Sequence, residues 1–86
     1  MVLAYVLATV YGNKVKVAEA LTKFHEVSNI HLIYGEYDII MTIKAKDLIQ
    51  LRESLMTKIE RIEGIGRTTT FIVADRTKEL DNVPNL

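Results

Sequence analysis

Two short segments hold most of the residues in this chain that could recognise a ligand. Gly35-Glu36-Tyr37-Asp38 lies between two apolar runs, and Gly64-Ile65-Gly66-Arg67-Thr68-Thr69-Thr70 leads into the last apolar run. Together they supply permissive backbone, one carboxylate and a group of hydroxyls, which suits a small ligand recognised at both its ends. Asp38 can accept a charge-assisted hydrogen bond from a ligand ammonium, or it can cap backbone N–H groups of a neighbouring loop. Gly64 and Gly66 are expected to leave the amides of residues 65–67 accessible, as a concave site for a carboxylate. Thr68 and Thr70 share one strand face, where their hydroxyls can bond a ligand or satisfy a strand edge, while Thr69 reads as a strand former. Arg67 either pairs with a ligand carboxylate or points into solvent. Tyr34 and Tyr37 flank the first turn and suit a pocket wall, an interface or sheet packing. The candidate ligand-binding set is therefore Gly35, Tyr37, Asp38, Gly64, Ile65, Gly66, Arg67, Thr68 and Thr70. No nucleophile–base pair stands out, so no catalytic residue is assigned. Cysteine is absent, and His25 and His31, six apart, lack a helical metal-ligand spacing, so neither metal nor cofactor is expected.

These segments need elements to hold them. Val2 to Tyr11 reads as a strand closed by Gly12-Asn13, and Asn13 can N-cap a helix beginning at Lys14. From Lys14 to about Val27, Val17, Leu21 and Phe24, with Ala20 and Val27, fall on one helical face. Lys14 and Lys16 sit in the first turn, where the helix dipole prefers acids. Ile30 to Tyr34 is a second strand, and Tyr37 to Ala45 a third after the turn at Gly35. Asp47 N-caps a second helix with Gln50 as its capping-box partner, and Leu48, Leu51, Leu55, Ile59 and Ile62 make its apolar stripe. Gly64 suits the left-handed position that ends this helix, and Thr68 to Ala74 is the last strand. The order βαββαβ predicts an α+β, ferredoxin-like domain over 1–75, with two helices on one face of a four-stranded antiparallel sheet. Residues 76–86 form a tail in which Leu80, Val83 and Leu86 suggest a short helix or a segment that docks on a neighbour.

The other sheet face ought to be polar in a monomer, and it is not. In the first strand both alternating sets are mostly apolar, Val2, Ala4, Val6, Ala8 and Val10 against Leu3, Tyr5, Leu7, Thr9 and Tyr11. An exposed patch of that kind predicts dimerisation sheet to sheet, in the manner of dimeric α/β barrels, with Tyr5, Leu7, Tyr34, Phe71 and Ile72 at the interface. At 86 residues the chain has a thin core, and oligomerisation is the support its composition favours, since 49% of it is hydrophobic. Eleven basic and eleven acidic residues give a formal charge of zero, which argues against direct nucleic-acid binding. No apolar run is long enough to span a membrane or resembles a signal peptide, so the expectation is a soluble cytoplasmic protein.

With these residues in place, the chain resembles the effector-binding domain of the Lrp/AsnC family of transcriptional regulators, the RAM domain. The match runs from Val2 to about Ala74. It rests on Gly35-Glu36-Tyr37-Asp38 before Ile39-Ile40-Met41, and on Gly64-Ile65 with Thr68 and Thr70 before Phe71-Ile72-Val73. The resemblance implies dimers assembled through the sheets, rings of dimers such as octamers, and amino-acid effectors bound between dimers. It also implies that the acidic position matching Asp38 affects effector response. Full-length members carry a helix-turn-helix domain ahead of this one. Here Met1 stands directly before the first strand, so a stand-alone RAM protein is expected. It would act as a sensor or modulator in transcriptional regulation, or as a ligandless assembly partner of a full-length Lrp/AsnC regulator. A small monooxygenase or isomerase on the same two-layer architecture is the remaining alternative. It would need a polar group in a pocket between helices and sheet, where this sequence places apolar residues.

Overall fold

The computed structural model describes residues 1–74. They form β1 (Val2–Val10), α1 (Lys14–Leu21), β2 (Val27–Leu32), β3 (Ile39–Ala45), a second helix and β4 (Ile65–Ile72). The second helix is a π-helix over Gln50–Met56 and an α-helix, α2, over Thr57–Glu60. The strands are ordered β2-β3-β1-β4, with every neighbouring pair antiparallel. This is the ferredoxin-like βαββαβ arrangement that the periodicity predicts. The tail at 76–86 lies outside the described residues.

Alternation along the strands sets the two faces. Ala4, Val6 and Ala8 of β1 and Ile39, Met41, Ile43 and Ala45 of β3 point at the helices and are buried. They meet Val17 and Leu21 of α1 and Leu51, Leu55, Met56 and Ile59 of the second helix, with Ile65 at the start of β4. No polar or charged side chain is buried among the described residues. The opposite face carries the odd residues of β1. Register places Tyr5 beside Thr42 and Phe71, and Leu7 beside Ile40 and Thr69. Tyr5 and Phe71 are 42% and 55% exposed, so the face is open as well as apolar.

The helix starts follow their local signals. Asn13 Oδ1 accepts from the N–H groups of Val15 and Lys16 at 2.9 and 3.1 Å. Asp47 Oδ1 accepts from the Gln50 N–H at 2.8 Å. The capping box is displaced by one residue, because Gln50 Oε1 takes the Lys46 N–H at 2.6 Å instead of that of Asp47.

Several element boundaries differ from the sequence reading. α1 stops at Leu21, well short of Val27, where the Thr22 hydroxyl donates to the Glu19 carbonyl at 2.6 Å and tight turns continue through Phe24. Such side-chain bonds compete with continued helix. Val27 then opens β2, which gains its early residues through a register shift between Val27 and Asn29. β3 begins at Ile39, because Tyr37 and Asp38 belong to the loop closed by the Ile33 N–H and the Asp38 carbonyl at 2.9 Å. β4 starts at Ile65 and ends at Ile72.

The π segment is a further departure from the expected α-helix. Its i→i+5 spacing lets Leu51 and Met56, five residues apart, both reach the core, and it leaves Leu48 exposed. Ile62 packs half-buried against the core. Ile72, expected at the sheet interface beside Phe71, pairs instead with Ala4 and so lies on the helix side. There it lines a groove with Leu51, Arg52, Met56, Glu60 and Thr70.

Candidate functional site

The two Gly-containing segments meet on the open sheet face. Tyr37 reaches across the end of β1, and its hydroxyl shares a 2.7 Å hydrogen bond with the Thr69 hydroxyl of β4. The Arg67 guanidinium lies over the Tyr37 ring, 5.3 Å from its centroid, within cation–π range. The Thr69 hydrogen bond, aided by the Arg67 guanidinium, holds the Tyr37 phenol below its usual pKa.

Thr9 completes this rim. β1 and β4 fall out of register between Ala8 and Val10, so Gly66 and Arg67 together oppose Thr9. The Arg67 N–H donates to the Thr9 Oγ1 at 2.7 Å. Gly66 makes that approach possible, since a Cβ there would stand 2.6 Å from the same oxygen.

Two of the three amides expected to form a cradle are taken up by the fold. The Ile65 N–H bonds the Ile62 carbonyl at 3.1 Å, and the Arg67 N–H is taken by Thr9. Gly64 is buried at φ +100°, and Ile65 is a core residue. Two glycines in three residues suggested accessible amides, but one serves to end the helix and the other to let strands approach.

Asp38 is fixed at the same end of the sheet. Its N–H bonds the Ala8 carbonyl at 2.9 Å, and its Oδ2 accepts from the Val10 N–H at 2.8 Å. Lys14 Nζ lies 3.0 Å from Oδ1. The carboxylate thus ties the loop before β3 to the end of β1 and the start of α1, the capping role open in the sequence. The Val10 N–H first, and then Lys14, hold its pKa below the usual carboxylate value. A depressed folded-state pKa stabilises the fold above the unfolded value of about 3.9, and that contribution fades as pH falls through the folded value. The melting temperature of Asp38→Asn should therefore lie below that of the wild type at neutral pH, with the gap closing on acidification below about pH 4. A gap that stays constant through that range would remove Asp38 from this role.

Of the remaining candidates, Gly35 takes φ +134° at the turn, and Tyr34 beside it is fully exposed. Thr68 and Thr70 share a face as expected, but it is the helix face, where the Thr68 hydroxyl donates to Glu60 at 2.9 Å. Sequence reasoning passed over Thr69, Thr9 and Lys14. Strand parity was the signal for the first two, because Arg67, Thr69 and Phe71 must share the face of Tyr5, Leu7 and Thr9. For Lys14 the signal was its unfavourable place in the first helical turn, which the ion pair to Asp38 explains.

Residues 4–83 match the Lrp/AsnC ligand binding domain. The chain belongs to that family. This Lrp/AsnC chain is 37% identical over 78 residues to an uncharacterised HTH-type transcriptional regulator of Pyrococcus furiosus, covering 90% of the chain and 53% of the regulator. It spans about half the length of the curated relatives it matches. A solved hypothetical protein from Pyrococcus horikoshii is similar at a TM-score of 0.79 and 31% identity, over 90% of this chain and 94% of that one. The feast or famine regulatory protein from M. tuberculosis, complexed with L-methionine, is similar at a TM-score of 0.78 over 98% of this chain and 58% of that one. At 18% identity, that second likeness is one of fold alone.

Proposed function

We propose that this Lrp/AsnC domain binds an amino acid at the rim of its open sheet face and couples that binding to self-association in transcriptional regulation. The observation that carries this reading is the convergence of the two Gly-containing segments through Tyr37, Thr69 and Arg67. The rim borders the apolar face of Tyr5, Leu7 and Phe71, so a second copy docked sheet to sheet would shape the site. Rings of such dimers, up to an octamer, would place each rim beside a neighbour. Ligand that favours the assembled state then shifts its population by linkage. The domain acts in the cytoplasm as a sensor and not as an enzyme, which its wholly apolar helix–sheet interior supports. The L-methionine complex of the similar M. tuberculosis protein makes methionine the first ligand to try.

Calorimetric titration with the twenty amino acids, paired with thermal melts, tests the proposal. Binding at about a hundredfold over Kd should stabilise the protein by about 2.7 kcal/mol. No heat and no melting shift with any of them would refute it. Co-purification with a full-length Lrp/AsnC regulator would then favour the assembly-partner reading.

A further inference from the structure

Away from the rim, the helix side of the sheet has an apolar groove. It is lined by Leu51, Arg52, Met56 and Glu60 of the second helix and by Thr70 and Ile72 of β4. Leu51 and Met56 are buried, so the floor of the groove continues the core. Ile72 is not covered in the same way. It points to the helix side, yet it is 44% exposed, because β4 is the edge strand and the second helix reaches over it only in part. The Thr68 hydroxyl ties one end of this strand to Glu60, and the gap widens toward Ile72.

The chain leaves the described residues from that same place. β4 ends at Ile72, and residues 75–86 follow Ala74. Leu80, Val83 and Leu86 are set there among charged and polar neighbours. The family match runs past β4 to residue 83, so Leu80 and Val83 count with the domain. Leu80 stands between Glu79 and Asp81. Seated in the groove, it would bring a carboxylate beside Arg52, which has no ion-pair partner among the described residues.

Proximity decides which copy supplies the segment. Only residues 73–79 separate Ile72 from Leu80. A segment tethered so closely meets the groove at an effective concentration of about millimolar. The same segment of another copy, free at micromolar concentration, competes poorly with it.

We propose that residues 75–86 fold back on their own subunit and that Leu80 closes the groove between the second helix and β4. Leu80 packs on Met56 and Ile72, and a flanking carboxylate pairs with Arg52. The edge strand is thereby covered on its helix side, one of the ways in which proteins protect sheet edges from unwanted pairing. The open face of Tyr5, Leu7 and Phe71 is then left as the surface for self-association.

The test places a nitroxide spin label at Asn82→Cys in the full chain, which has no cysteine of its own. The methyl signals of Leu51 and Met56 should broaden more than those of Leu3, which adjoins Val73 but lies on the open face. Leu80→Asp should abolish that difference and lower the melting temperature by at least about 4 °C. A second sample mixes spin-labelled chain with isotopically enriched, unlabelled chain and allows subunits to exchange. There the Leu51 and Met56 signals should stay sharp. Equal broadening of Leu3 and Met56 would mean that the segment does not dock in the groove. Broadening in the mixed sample would assign the groove to another copy's segment. A Leu80→Asp variant that keeps both the broadening pattern and the melting temperature would remove Leu80 as the anchor. Any of these results overturns the proposal.

Discussion

Replacing Leu7 with glutamate should abolish the proposed sheet-to-sheet dimer while leaving each subunit folded. Leu7 sits mid-sheet on the open face, between Ile40 of β3 and Thr69 of β4, and points away from the helices. A glutamate there is solvated in the monomer. In a sheet-to-sheet dimer it would be buried without a cation, at a cost of several kcal/mol. A two-fold interface doubles the effect, because each copy carries the change. Dissociation should rise by at least about a thousandfold, roughly 4 kcal/mol. Sedimentation at micromolar concentration distinguishes the states, and far-UV circular dichroism checks the fold. A wild type that sediments as a monomer, or a variant that still sediments as a dimer, would mean that this face is not the dimer interface.

The second large effect is expected at Gly64→Ala. Gly64 sits at φ +100°, and an added Cβ would stand 2.7 Å from Val17 Cγ2 and 3.2 Å from the Tyr11 carbonyl. The left-handed backbone costs about 1–2 kcal/mol for an L-residue, and crowding a packed core costs about 1–3 kcal/mol more. A total of roughly 2–5 kcal/mol should lower the melting temperature by at least about 8 °C in a domain of this size. Gly12→Ala is the control. Gly12 has φ +89°, but nothing lies within 4 Å of the Cβ position. It should lose only the backbone share, about 1–2 kcal/mol. Equal losses at the two positions would show that contact with Val17 contributes nothing. Both melts must be run at one protein concentration, since self-association moves the midpoint.

The parts of this fold legible in the sequence are those set by local rules. Asn13, Asp47 and Gly64 announce helix ends because a cap or a left-handed turn needs only a few neighbouring residues. Strand alternation separates Ala4, Val6 and Ala8 from Tyr5 and Leu7, so the two-faced sheet is visible before any coordinates. The length of α1 was not visible, because Phe24 and Val27 continue a helical period even where turns and a strand have replaced the helix. The π segment was hidden for a related reason, as Leu51 and Leu55 fit an α stripe and only Met56 betrays the wider turn.

Of the site, the meeting of the two segments was legible from their composition, but the groups that carry the meeting were not. Tyr37 to Thr69, Thr9 to Arg67 and Asp38 to Lys14 are contacts between distant parts of the chain, fixed by register. A one-residue change of register exchanges one set of side chains for the other. That is why Thr68 and Thr70 drew attention that belongs to Thr69; Ile72, next to Phe71 in the strand, lies on the opposite face by alternation alone.

The central position of β1 also bears on how the chain is made. β1 is synthesised before the other strands of its sheet, yet its ladder partners are β3 and β4, and Ala4 must wait for Ile72. Ribosomes add roughly 5–20 residues per second, so the first strand spends seconds without its neighbours. During that interval both of its apolar sides are uncovered, and contacts this distant in sequence close slowly. The stretch from Val2 to Val10 is therefore the segment of the nascent chain most in need of a chaperone.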